Sequence, residues 1–142
     1  MDKKVRKRLG NTYYLLGTNE NGDEYYWKKP TWDCDWYWSV DWLDCLDTCH
    51  HTFISQYGIN LFIEGYQKPF LIDTPFTEKE KWKLVELFRS IHLMQQTAEF
   101  FVRGSSGISE LKGYKNENLA KEINENTIPQ LIKDIEEIVK PS

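Results

Sequence analysis

Cys34, Cys45, Cys49, His50 and His51 crowd one short stretch and carry the nitrogen and sulfur donors that a tetrahedral zinc ion takes. Their spacing, Cys-x10-Cys-x3-Cys-His-His, is not a recognised ligand spacing, and no second paired knuckle accompanies it. Adjacent histidines also point to different sides of a chain. Buried free cysteines behave as small hydrophobes, and that role is expected of all three, with no metal and no cofactor. A cysteine nucleophile fares no better. Thiolate chemistry wants an electropositive neighbour or a base, whereas Cys34 and Cys45 sit beside aspartates. His92 falls next to the apolar stripe of a predicted helix, where a packed or surface histidine is expected. Carboxylate pairs exist in Asp33 with Asp35 and Asp41 with Asp44, and tryptophans often line sugar sites. Glycoside hydrolysis needs two carboxylates ~5–9.5 Å apart with distinct acid and base roles, and nothing here separates an acid from a base. Gly104-Ser105-Ser106-Gly107 follows a helix instead of preceding one, so it cradles no phosphate. The chain is expected not to be an enzyme.

Binding chemistry is better represented. Trp32 to Trp42 reads WDCDWYWSVDW, with four of the six tryptophans, three aspartates and no lysine or arginine. From Pro30 to Gln67 there is no lysine or arginine at all, against Asp33, Asp35, Asp41, Asp44, Asp47 and Glu64. That segment carries about −6, leaving +2 for the remainder of a chain whose net charge is −4. Such asymmetry creates a local field. Acids beside tryptophan and tyrosine suit a basic protein partner, because carboxylates steer and pair with arginine or lysine while exposed rings anchor the contact. They repel phosphate, which disfavours direct nucleic-acid binding. The residues expected to meet a partner are Asp33, Asp35, Tyr37, Asp41, Asp44 and Asp47.

These side chains need a scaffold, and 142 residues with 40% hydrophobic content suit a single domain spanning 1–142. Five bases in the first eight residues, Lys3, Lys4, Arg6, Lys7 and Arg8, suggest that residues 1–9 form a solvated basic arm. Three cysteines do not make a paired extracellular framework, no signal peptide is legible, and the apolar runs fall short of the ~20 residues that span a bilayer. A cytosolic protein with reduced thiols is expected.

Thr12–Leu16 and Asp23–Lys28 are aromatic, strand-favouring runs around Asn21-Gly22, a hairpin signal. Trp36, Trp38, Val40 and Trp42 alternate with Tyr37, Ser39 and Asp41, as in the central strand of a sheet with its indoles packed on helices and its other face wet. Residues 43–72 yield no assignment by pattern, beyond a short helix from Asp47 or Thr48 to Tyr57 and an ambiguous apolar run at Ile59–Ile63. Thr77-x-x-Glu80 is a capping box opening a long helix with an apolar stripe from Leu84 to Val102, ended by Gly104. Ser105–Gly113 reads as a loop and Leu119 with Ile123 as a short helix. Thr127-x-x-Gln130, with Pro129, reads as a second capping box before a last helix through Val139. The fold class is α+β: an N-terminal antiparallel sheet of about three strands, packed by a long helix and C-terminal helices.

Tyr13-Tyr14-Leu15-Leu16-Gly17, Trp32-Asp33-Cys34-x-Trp36-Tyr37-Trp38, Thr74-Pro75-x-Thr77 leading to Trp82-Lys83-Leu84, and Arg103-Gly104 together resemble a family of small uncharacterised proteins encoded by bacteriophages and prophages. Ser39-Val40-Asp41 stand where that family has glycines. The resemblance implies no catalytic residues. It implies a viral accessory protein in the bacterial host cytoplasm, binding a host protein with a basic, nucleic-acid-binding surface; inhibition of a defence nuclease such as a CRISPR effector is its most concrete form. The alternatives are a binder or hydrolase of a nucleotide or sugar with a tryptophan-lined pocket, and a phage structural or assembly protein.

Overall fold

A computed structural model describes residues 1–8, 10–29, 40–42, 61–63, 69–103 and 116–142. Its first half is an antiparallel sheet in the order β1-β2-β3-β4, comprising β1 (Val5–Arg8), β2 (Asn11–Thr18), β3 (Glu24–Lys28) and β4 (Val40–Trp42). The expected hairpin is β2–β3. Its loop is drawn together by Asn19, whose side-chain oxygen accepts from the Asn21 and Asp23 amides at 3.0 Å while its carbonyl accepts from Gly22. Tyr13 to Gly17 are buried without a break. Tyr14 and Leu16 enter the main core, while Tyr13 and Leu15 join Tyr26 in a smaller, separate cluster. A register shift between Leu15 and Gly17 marks a bulge in β2.

Two sequence expectations change here. Residues 5–8 are not part of a solvated arm but the edge strand β1, with Val5 opposite Tyr14 and Lys7 opposite Thr12. Arg6 and Lys7 stay exposed and Arg8 is half-buried while the backbone pairs, and charged side chains are a common way of protecting a sheet edge. Gly10 makes this hairpin possible, because at φ +79 it turns the chain between Arg8 and Asn11 in the left-handed region. The described part of the tryptophan-rich strand is the three-residue β4, which among the described residues pairs with β3 alone, opposite β1 in the described sheet, where a central strand was expected. Trp36 and Trp38 lie outside the described residues.

Helix α1 (Glu78–Arg103) begins where its capping box predicts. The Thr77 amide donates to Glu80 Oε1 at 3.0 Å and the Glu80 amide to Thr77 Oγ1 at 3.2 Å. Leu84, Val85, Leu87, Phe88, Ile91 and Ala98 are buried in the main core with Tyr14, Leu16 and Trp27. The helix ends one residue before Gly104, as expected.

The C-terminal region departs from the sequence reading. Helix α2 (Glu117–Glu122), capped by Asn116 Oδ1 accepting from the Leu119 amide, runs directly into a π turn (Ile123–Thr127) and then helix α3 (Ile128–Val139). The second capping box does not form. Thr127 is helical, at φ −68 and ψ −52, and caps nothing with its side chain. The reason lies in the spacing of the core residues Ala120, Ile123, Ile128, Ile132, Ile135 and Val139. Every step is three or four residues except Ile123 to Ile128. Five residues of α-helix would rotate Ile128 about 140° away from Ile123. A π turn widens the coil and returns both to the core, with the Ile128 amide donating to the Ile123 carbonyl. It also relieves Pro129, which has no N–H for an ordinary helical bond.

The segment before α1 is tied to the end of β2 by an isolated antiparallel bridge between Thr18 and Asp73. The Thr18 amide donates to the Asp73 carbonyl at 2.8 Å, and the Ile72 amide to the Thr18 carbonyl at 2.9 Å. Gly17 permits this approach. It lies at φ +153, and a Cβ there would collide with the Asp73 carbonyl and sit 3.0 Å from Thr74 Cγ2. Leu61 and Phe62, in a turn instead of a strand or helix, are buried alongside Leu71 and Phe76. The rest of the 43–60 region, including the helix expected from Asp47 or Thr48, lies outside the described residues, as does Ser105–Gly113.

Candidate interaction surface

The basic N-terminal run and the strand of the acid-rich segment lie on opposite sides of the described sheet. β1 carries Arg6, Lys7 and Arg8, preceded by Lys3 and Lys4, and occupies one edge. β4, which with residues 61–63 makes up the described part of the acid-rich segment, occupies the other. Three strand spacings of ~4.8 Å place these edges about 14 Å apart. That exceeds the ~8 Å over which charges are felt at physiological ionic strength.

Of the residues expected to meet a partner, only Asp41 is described. The register sets it across from Tyr26 in β3, flanked by Val40 opposite Trp27 and Trp42 opposite Tyr25. Asp33, Asp35, Tyr37, Asp44 and Asp47 lie outside the described residues, as do Cys34, Cys45, Cys49, His50 and His51. Tyr26 itself is fully buried, and its hydroxyl donates to Glu24 Oε2 at 2.7 Å. The Arg6 guanidinium lies 5.8 Å from its ring centroid. Burial, then the Glu24 carboxylate, push the Tyr26 phenol up to about 12 against the milder pull of Arg6, so it is a neutral donor at any ordinary pH. His92 is half-buried on α1.

A second polar group escaped the sequence entirely. Tyr14, 7% exposed, donates its hydroxyl to Glu136 Oε2 at 2.5 Å, and Lys29 Nζ lies 3.0 Å from Glu136 Oε1 and 2.9 Å from Oε2. Burial first, then the Glu136 carboxylate, raise the Tyr14 phenol well above its ordinary value. Burial alone would raise Glu136 too, but the bonds from Tyr14 and Lys29, with the Lys29 and Lys140 ammoniums, hold it below the usual glutamate range. No short-range pattern encodes this triad, since its partners meet only when α3 docks on β2 and β3.

At the other end of the sheet, Lys3 Nζ reaches Glu80 Oε2 at 2.6 Å and lies 5.7 Å from the Phe76 ring. Burial opposes ionisation of Glu80, but the bonds from Lys3 and Thr77 keep its carboxyl below the usual range. A cavity of about 130 Å³ opens nearby, lined by Phe62, Pro69, Leu71, Ile72, Thr74 and Lys81. Ligand sites usually enclose ~300–1,000 Å³, so this one admits neither a nucleotide nor a sugar chain. Among the described residues no three metal-ligating side chains gather, and no helix is long and apolar enough to cross a membrane. No protein-family model, no curated protein and no solved structure matches the chain.

Proposed function

We propose that the chain is a non-enzymatic, phage-encoded accessory protein that binds a basic, nucleic-acid-binding surface on a host protein in the host cytoplasm and blocks it. Inhibition of a defence nuclease such as a CRISPR effector is the most concrete form. The observation that supports this reading is the acid-rich segment itself, about −6 with no lysine or arginine from Pro30 to Gln67. Its strand β4 and the basic strand β1, which carries Arg6, Lys7 and Arg8, lie on opposite sides of the described sheet. A run of acids with no base among them in the sequence suits an arginine-rich groove, which it steers toward itself and into register.

The test is capture. Immobilised protein is expected to retain one host nucleic-acid-binding protein, less tightly as salt rises. Replacing Asp33, Asp35, Asp41, Asp44 and Asp47 by asparagine should abolish retention while leaving the circular dichroism spectrum unchanged. Retention that survives the five substitutions rejects the acidic surface as the binding element.

A further inference from the structure

The outer face of α1 carries large apolar side chains in solvent. Trp82 and Leu93 are 54% and 57% exposed, unusual for large apolar side chains on a helix whose other face fills the core. Between them stand Glu86 and Arg89, both exposed. The steps from Trp82 to Glu86, Arg89 and Leu93 are four, three and four residues. At 3.6 residues per turn the four side chains fall within an arc of about 60°, a single seam about 16 Å long. The order along that seam is apolar, acid, base, apolar, so it is complementary to its own reversal.

We propose that α1 pairs with α1 of a second copy of this chain, antiparallel, about a two-fold axis between Glu86 and Arg89. In that register Trp82 of one copy meets Leu93 of the other, and Glu86 meets Arg89, each contact occurring twice. This is the self-complementarity a two-fold interface demands, with the alternation of an antiparallel helix seam. Charge chooses this register over its neighbours. Sliding the axis toward Ile91 would set Trp82 against Phe100 but leave Glu86 facing Gln96 and Arg89 facing Leu93, with neither charge matched. Among the described residues Glu86 has a loose 3.7 Å pair with Lys83 and Arg89 has no ion pair. Three turns of contact bury less than the ~1,200–2,000 Å² of a stable interface, so the dimer forms and dissociates with concentration.

Sedimentation velocity over a concentration series should show a reversible monomer–dimer equilibrium that weakens with salt. Glu86→Arg alone or Arg89→Glu alone places like charges across the axis, and either should raise the dissociation constant at least about tenfold. The double exchange, Glu86→Arg with Arg89→Glu, restores opposite signs and should return the constant to within about threefold of the parent. As a second line of evidence, Trp82→Ser and Leu93→Ser should each weaken the dimer, with the helix content by circular dichroism preserved because both positions are on the surface. A parent chain that stays monomeric at ~1 mM overturns the proposal, as do single reversals without effect or a double exchange that fails to rescue. None of these outcomes touches the aspartates of the acidic segment, so the two surfaces stand or fall separately.

Discussion

Tyr14 and Glu136 show how one hydrogen bond joins the two halves of the fold. The phenol is buried and the carboxylate only partly exposed, so the bond operates away from bulk water and to a charged acceptor. Tyr14→Phe removes the donor and leaves Lys29 as the remaining described partner of that carboxylate; the loss should be about 1.5–3 kcal/mol at pH 7 by chemical denaturation. The pH dependence follows from the lowered Glu136 carboxyl. A depressed folded pKa contributes stability that is present above the unfolded glutamate range of ~4.3 and lost as pH falls through the folded value. The difference between the parent and Tyr14→Phe should therefore shrink below about pH 4. A gap that stays constant down to pH 2 would show that the phenol contributes by packing alone.

β1 and the π turn are elements that tertiary context imposes on unpromising sequence. Val5–Arg8 has little intrinsic reason to be a strand, being three-quarters basic. It becomes one because β2 presents an unpaired row of backbone groups, Gly10 turns the chain back, and the Lys3–Glu80 pair anchors its start to α1. A solvated arm could be removed without effect. Removal of residues 1–8 should instead lower stability by on the order of 1–3 kcal/mol and, by baring the edge of β2, increase light scattering on storage. Unchanged melting and unchanged scattering would return these residues to the status of an arm. The π turn is the reverse case, since its signal was present in the five-residue step from Ile123 to Ile128. The capping-box pattern at Thr127 masked it, because both are written in the same few residues and only burial of Ile128 decides between them.

At the scale of the molecule, one apolar cluster links Tyr14, Leu16 and Trp27 of the sheet to α1, α2 and α3. Sheet and helices should therefore unfold together. Ile135→Ala, at a fully buried position on α3, should cost about 2–5 kcal/mol. It should move the near-ultraviolet signal of the sheet aromatics and the far-ultraviolet helix signal to the same lower midpoint. Separated midpoints would mean that the helices form a unit of their own.

The elements whose signals are local were legible from the residues alone. The β2–β3 hairpin, the capping box at Thr77, the length of α1 and the α+β class all follow from short-range hydrogen bonds and side-chain periodicity, and all are present. The acid-rich segment was equally plain as composition, though of its expected contact residues only Asp41 is placed, at the β4 edge across from Tyr26. Long-range packing makes the basic terminus a strand, sets β4 at the side of the described sheet opposite β1, and continues α2 into α3. It also brings Tyr14 to Glu136 and Lys29. Each of these depends on partners distant in the chain, on backbone pairing that carries no side-chain pattern, or on which of two competing local signals buries more apolar surface.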